Sequence, residues 1–158
     1  VRDVKIWRDV AAQDGTINSN YGWCIYSADN YRQFDHALTE LINNPDSRRA
    51  IMIYTRPSMW NDYNHNGRND FMCTNYHHFM IRNKTLISIY NIRSNDLVFG
   101  FFNDYYWAAT IHQKMFNALY GPLHGEIEMG YLMWQASSLH VYERHWPLID
   151  SMVNGGKR

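Results

Sequence analysis

NYHHFMIRNKTLISIYNIRS, residues 75–94, is the stretch that decides the architecture. Two runs rich in β-branched and aromatic residues flank Asn83–Lys84, a pattern that predicts two strands around a tight turn. A strand pair needs an apolar cover, and helical patterns lie on either side. In SADNYRQFDHALTELINNPDSRR (27–49), Phe34, Ala37, Leu38, Leu41 and Ile42 keep helical spacing. They predict an amphipathic helix over 29–43, capped by Ser27 and ended by NNPDS. In 104–121, Ala108, Ile111, Met115 and Leu119 share one face and Gly121 closes the segment, which predicts a second helix. RRAIMIYTR (48–56) reads as a buried strand, 58–70 as a polar loop, and 126–145 as one or two final strands. Together they predict an α+β fold with a central sheet, one domain over 1–158.

The 158 residues suffice for one domain with a core. With 46% hydrophobic and 19% charged residues the balance is that of a globular protein. Fifteen basic and fifteen acidic residues cancel, which argues against polymeric DNA or RNA as the main partner. A few arginines still suffice to hold a single phosphate. The aromatic share of 16% suits a pocket that stacks on flat rings, and equally fills a core. Cys24 and Cys73 make no disulfide framework, so a reducing cytoplasm is the expected setting. No apolar run approaches the roughly 18 residues of a membrane span, and no signal peptide is visible. The chain opens on Val1, as a processed form or a fragment would. DYNHNG (62–67) imitates a calcium loop through Asp62, Asn64, Asn66 and Gly67, but the twelfth position is Cys73 in place of Glu, so calcium is rejected. His77 and His78 are neighbours on a strand and point to opposite faces, unsuited to sharing a metal; no metal site is expected. NKT (83–85) fits a glycosylation sequon, without meaning in a cytoplasmic protein.

Five segments remain: IWRDVAAQDGTINSNYG (6–22), NNPDSRR (43–49), CTNYHHF (73–79), RSND (93–96) and HVYERH (140–145). In this order and near this spacing they resemble the thymidylate synthase family, which includes the pyrimidine nucleotide hydroxymethylases. The resemblance runs from about Trp7 to about Pro147. It implies a mixed central sheet flanked by helices, and Cys73 as a nucleophile that adds to C6 of a pyrimidine and so activates C5. The chemistry is sensible without the family: nearby arginines would lower a thiol's pKa from its usual ~8.5. Arg48, Arg49 and Arg93 suit a nucleotide phosphate through bidentate forks, and Ser94 adds a hydroxyl. His140 and Tyr142, two residues apart on a strand, share a face and suit a sugar hydroxyl. Tyr21 resembles a family tyrosine near the cysteine, and Trp7 and Asp96 resemble positions that touch folate. The implied cofactor is 5,10-methylenetetrahydrofolate. In this family the double arginine reaches the phosphate of the neighbouring subunit, which implies a homodimer. Plainer readings stand beside these: a solvated Arg48–Arg49 pair, a core Tyr142, a turn at Asp96, and Cys24 as packing.

The informative departure is Asp104. Counted without gaps from Arg93, the family's base-reading asparagine falls on Asp104, and a slip of one residue puts it on Asn103. Resemblance implies Asn for a uracil nucleotide and Asp for a cytosine nucleotide. A carboxylate cannot donate to O4 of uracil, an unpaired buried contact of about 1–3 kcal/mol, whereas it accepts from the N4 amino group of cytosine. Thr74 replaces a family His, and Ser137–Ser138 a family Gly-Asp. The expected activity is folate-dependent C5 hydroxymethylation of a cytidine monophosphate, dCMP above CMP. A thymidylate synthase or dUMP hydroxymethylase, and a non-catalytic nucleotide-binding relative, remain alternatives. Such an activity suggests a virus modifying its own DNA in the host cytoplasm. Family chains are usually longer at both ends, with a glutamate and a further arginine upstream and a closing tail where DSMVNGGKR (150–158) stands. A chain without these segments is expected to bind nucleotide yet turn over poorly.

Overall fold

The hairpin forms as β2 (Thr74–Arg82) and β3 (Thr85–Ile92), joined through Asn83 and Lys84 with φ of 50° and 61°. Two successive left-handed residues give the turn that matches the right-handed twist of the strands. The computed structural model describes residues 5–63 and 70–155, with the side chains of 5–7 and 62 outside the described set. The side chain of Trp7 and most of DYNHNG therefore lie outside the described set. β1 (Ile51–Ile53) pairs antiparallel with β2, and β5 (Glu128–Ala136) pairs parallel with β3, giving a mixed sheet in the order β1-β2-β3-β5. A parallel partner demands a crossover, which runs through α5 (Gly100–Tyr120). The β3–β5 register shifts between Leu86 and Ser88, opposite Gly130, where a Cβ would run into the Leu86 carbonyl oxygen.

One face of the sheet carries the core. Met52, Phe79, Leu86 and Tyr90 are fully buried there. α3 (Gln33–Asn43) covers it with Phe34, Ala37 and Leu41, and α5 with Ala108, Ile111, Met115 and Leu119, the face read from the sequence. The opposite face is apolar and open: Ile51, Ile53, Tyr131 and Met133 are 39%, 51%, 59% and 42% exposed.

Several boundaries differ from expectation, each for a local reason. The helix expected over 29–43 is split. Ser27 caps a single 3-10 turn, Ala28–Asn30, and Tyr31 and Arg32 then turn left-handed, so α3 starts at Gln33. The strand expected over 48–56 is three residues long and buried only at Met52. The loop over 58–70 holds the short helix α4 (Met59–Asp62). α5 begins at Gly100, four residues early, because Asp96 accepts from the backbone N–H groups of Val98 and Phe99 at its entry. The final stretch contains β5 and the short β6 (Leu139–His140), which pairs parallel with β4 (Asn95–Asp96). Short helices α1 (Lys5–Val10), α2 (Tyr21–Tyr26) and α6 (Trp146–Val153), with a 3-10 turn at Glu143–His145, complete the order. Among the described residues no helix is long and apolar enough to cross a membrane.

His77 and His78 do point apart. His77 is buried with its Nε2 3.0 Å from Ser88 Oγ, which lies 2.7 Å from His112 Nδ1; His78 turns outward to the Arg48 carbonyl, 3.1 Å away. Burial holds both His77 and His112 below the usual imidazole pKa, His77 well below. An unfolded chain therefore takes up protons below about pH 6.5 that the folded one refuses. Stability is full above that pH and falls as the pH drops below it, by up to about 1.4 kcal/mol per pH unit for each such histidine. Melting temperatures measured from pH 8 to pH 5 should fall below pH 6.5, and His77→Leu should flatten that fall even where it lowers the value at pH 8.

Candidate active site

The open end of the hairpin positions the thiol. Thr74 faces Ile92 across the strands, so Cys73 and Arg93 lie side by side, and the Arg93 backbone N–H bonds the Cys73 carbonyl at 2.9 Å. The Arg93 guanidinium donates from Nε to Met72 O and from Nη2 to Phe71 O, both at 2.9 Å, and sits 4.9 Å from the centre of the Phe71 ring. From there Nη2 lies 3.7 Å from Cys73 Sγ. Arg93 thus fixes the approach to the strand and places a positive charge beside the sulfur.

Asp104 stands on the first turns of α5. Its Oδ1 is 3.3 Å from the Tyr21 hydroxyl, and its Oδ2 accepts from Asn95 Nδ2 at 2.9 Å. Tyr21 opens α2, capped by Asn20, and packs edge-on to Tyr54 and against Trp107. Asp70 ties this region to the thiol loop: it accepts from Ser19 N at 2.6 Å and Ser19 Oγ at 2.7 Å, while its own carbonyl accepts from Asn18 Nδ2. Thr74 Oγ1 and the Tyr90 hydroxyl share a 2.7 Å hydrogen bond beneath.

Burial governs the electrostatics. It raises the Asp104 pKa to about 6, against the hydrogen bonds from Tyr21 and Asn95. It raises the Cys73 thiol as well; Arg93 pulls it down, and the charges of Asp104 and Asp70 push it up. The expectation of a thiol lowered by arginines is therefore corrected: of the three, only Arg93 acts on it, and desolvation outweighs it. Cys24 is buried and pushed up to about 11, in keeping with packing.

The remaining predicted residues divide. Ser94 follows Arg93, half-buried. His140 lies opposite Asp96 in the β4–β6 pair, with Nδ1 3.3 Å from Ser138 Oγ. The strand ends at His140, so the expected strand face with Tyr142 is corrected; the two rings still meet edge-on at 5.0 Å. Tyr142 is exposed and not core, with the Arg144 guanidinium over its ring at 4.3 Å. Asp96 spends its carboxylate at the entry of α5, the turn role weighed above. Asn103 is exposed and donates to the Phe99 carbonyl one turn back, so the structure does not bring it to Cys73. Arg48 and Arg49 are also apart. By the β1–β2 register they sit level with Ile81 and Met80, roughly 25 Å along β2 from Cys73. Arg49 forks onto Glu40 with its Nη2 at 2.8 Å, and its side chain is 76% exposed.

Sequence reasoning missed Asn95, Asp70 and Asn18. Each is a polar side chain held at or near the buried level, and nothing in a single sequence separates such a residue from a loop asparagine or aspartate. An open cleft of about 350 Å³ reaches the group at Arg93 and is lined also by Arg56, Met59, Trp60, Phe71 and Asn75.

Residues 1–157 match the family model described as thymidylate synthase. The deoxycytidylate 5-hydroxymethyltransferases of Enterobacteria phages T2 and T4 are 52% and 53% identical to this chain over 154 residues, 97% of this chain and 63% of each of theirs. The chain thus spans under two thirds of those relatives. The thymidylate synthase of Corynebacterium aurimucosum is 31% identical over 153 residues, 90% of this chain and 51% of that protein. Among solved structures, thermostable thymidylate synthase A from Bacillus subtilis superposes with a TM-score of 0.71 at 23% identity, over 99% of this chain and 54% of that one, which is agreement in fold.

Iodoacetamide labelling of the folded protein, read by mass spectrometry, should modify Cys73 ahead of Cys24. Arg93→Ala should slow Cys73 labelling at pH 8, by about tenfold for each unit that the thiol pKa rises.

Proposed function

The chain belongs to the thymidylate synthase family, and from that membership we propose that it is a C5 hydroxymethylase of deoxycytidine monophosphate. The observation that carries the reading is Asp104. A carboxyl group meets Tyr21 and Asn95 close to the thiol, while the neighbouring Asn103 turns to solvent. The phage relatives, at 52% and 53% identity, carry a deoxycytidylate hydroxymethyltransferase name and support the same choice.

In this reading Cys73 ionises beside Arg93 and adds to C6, so that C5 becomes an enamine-like carbon. Asp104 accepts from the N4 amino group and shares a proton with N3, which spreads the charge that forms on the ring. Arg93 and Ser94 hold phosphate, and His140 and Tyr142 hold the sugar hydroxyl. The family implies a folate one-carbon donor. The exposed apolar side chains of Leu97 and Phe99, beside Asp96, fit a flat heterocycle. When bound, methylenetetrahydrofolate supplies the one-carbon unit. Loss of the C5 proton leaves an exocyclic methylene on the Cys73 adduct, water adds to that carbon and supplies the hydroxyl oxygen, and departure of the Cys73 thiolate from C6 restores the aromatic ring.

The active form in this reading is a homodimer. Arg48 and Arg49 lie too far along the sheet to serve the thiol of their own chain, and they flank the open face of Ile51, Ile53, Tyr131 and Met133. Two such faces packed together would bury that surface and carry each pair of arginines toward the other site. The setting implied is a virus-encoded enzyme in the host cytoplasm.

Tritium release from C5-labelled dCMP and dUMP, with and without methylenetetrahydrofolate, tests the chemistry. Release from dCMP should vanish in Cys73→Ala, and Asp104→Asn should turn the preference toward dUMP by about a hundredfold or more. Release from dUMP alone would make this a uracil enzyme, and release from neither would leave a nucleotide-binding relative. The shared site predicts complementation: inactive Cys73→Ala and Arg49→Ala proteins, unfolded and refolded together, should recover up to about a quarter of wild-type activity, from mixed dimers with one intact site. Activity absent from the mixture would sink the shared site.

A further inference from the structure

Asn95 is 1% exposed, and its two polar ends have different fates. Nδ2 donates to Asp104 Oδ2 at 2.9 Å, while Oδ1 is buried without a partner among the described residues. The side chain is held where it is. Its backbone N–H bonds Ser138 O at 2.8 Å, β4 pairs with β6, and a Cβ added at Gly100 would lie 3.5 Å from Nδ2 and 3.8 Å from Asp104 Oδ2. An orphaned buried acceptor is unfavourable, and turning the amide over would trade it for an acceptor facing a carboxylate. The N–H therefore faces Oδ2.

This has a consequence for base reading. A lone carboxyl group that carries a proton is an ambiguous reader. With the proton on one oxygen it offers donor then acceptor, which matches N3 and the 4-amino group of cytosine. With the proton on the other it offers acceptor then donor, which matches N3–H and O4 of uracil. The Asn95 N–H aimed at Oδ2 excludes the proton from that oxygen on the same side; the Tyr21 hydroxyl donates to Oδ1 at 3.3 Å, but an O–H can rotate to give way to a proton there and a fixed amide N–H cannot. The near-neutral pKa of Asp104, about 6, makes the question a practical one at physiological pH.

We propose that Asn95 is a specificity-determining residue: by donating to Oδ2 it confines the Asp104 proton to Oδ1, so that the carboxyl presents donor and acceptor in one order, that of a 4-aminopyrimidine and not a 4-oxopyrimidine. Asn95 acts through Asp104 and is a positioning residue. The inference rests on the cytosine reading above.

The test uses Asn95→Ala, which removes the donor, and Asn95→Leu, which removes it while keeping most of the volume. Equilibrium binding of dCMP and dUMP is measured by calorimetry beside C5 tritium release, with the melting temperature as a check on folding. In either folded variant the dCMP-to-dUMP ratio should fall by about tenfold or more, with dUMP gaining in absolute terms. A merely structural role would weaken both nucleotides alike and leave the ratio unmoved, and that result would overturn the proposal. A ratio that rises would mean that Oδ2 faces N3, and would overturn it too. If the wild type itself fails to prefer dCMP, the cytosine reading falls first and this inference with it. A wild type that prefers dCMP beside unmoved variants would leave that reading standing and remove only the role of Asn95.

Discussion

The register of the β2–β3 hairpin is the constraint on which the site depends. Its turn, at Asn83–Lys84, lies at the far end from the chemistry, yet it decides which residues meet at the open end. Side chains alternate across a strand, so a slip of one residue would carry Phe79 and Tyr90 out of the core and Arg93 away from Cys73. The buried face therefore enforces the pairing that puts a guanidinium 3.7 Å from a thiol. Neither group needs a helix or a loop of its own to find the other. The register shift between Thr74 and Tyr76 falls just after Cys73, where the strand leaves regular pairing.

Beyond the hairpin, polar groups at the edge of the core do the positioning. Asp70 gathers Asn18 and Ser19 and so fixes the segment that delivers Tyr21. Asp96 starts α5 and so sets the helical phase at Asp104. That phase is what separates Asp104 from Asn103. Adjacent residues on a helix differ by about 100°, so one faces the thiol and the other solvent. A count along the sequence leaves the two adjacent and ambiguous, and the helical phase separates them.

Much of this was legible in the sequence because it follows from periodicity. The hairpin, its turn and the buried faces of α3 and α5 need only alternation or helical spacing, which local sequence carries. The short pieces were not legible. β4 and β6 are two residues each and exist because they pair with one another, and α2 is six residues held by a cap and by packing. The site was legible in its charged members, Cys73, Arg93 and Asp104, which lie close in the fold. Asn95 gave no sign, since what marks it is its hydrogen bond to the carboxylate across from it. The thiol's ionisation was read with the wrong sign, because neighbouring charge is visible in a sequence and desolvation is not.

The two titrating groups of the site are coupled, and the coupling has a direction. The negative charge of Asp104 helps to raise the Cys73 thiol, and burial raises both groups. Neutralising Asp104 removes that repulsion and leaves Arg93 as the nearest charge to the sulfur. A base whose N3 shares a proton with Asp104 neutralises it in this way. In the proposed reading, the same contact that identifies the base makes the thiolate easier to form, and a ring that cannot share the proton leaves the thiol held up by its neighbour. Base recognition and nucleophile ionisation then draw on one carboxyl group. That gives a physical reason for this carboxyl to be buried, and for its pKa to lie near neutrality, where a small change in its surroundings decides its charge.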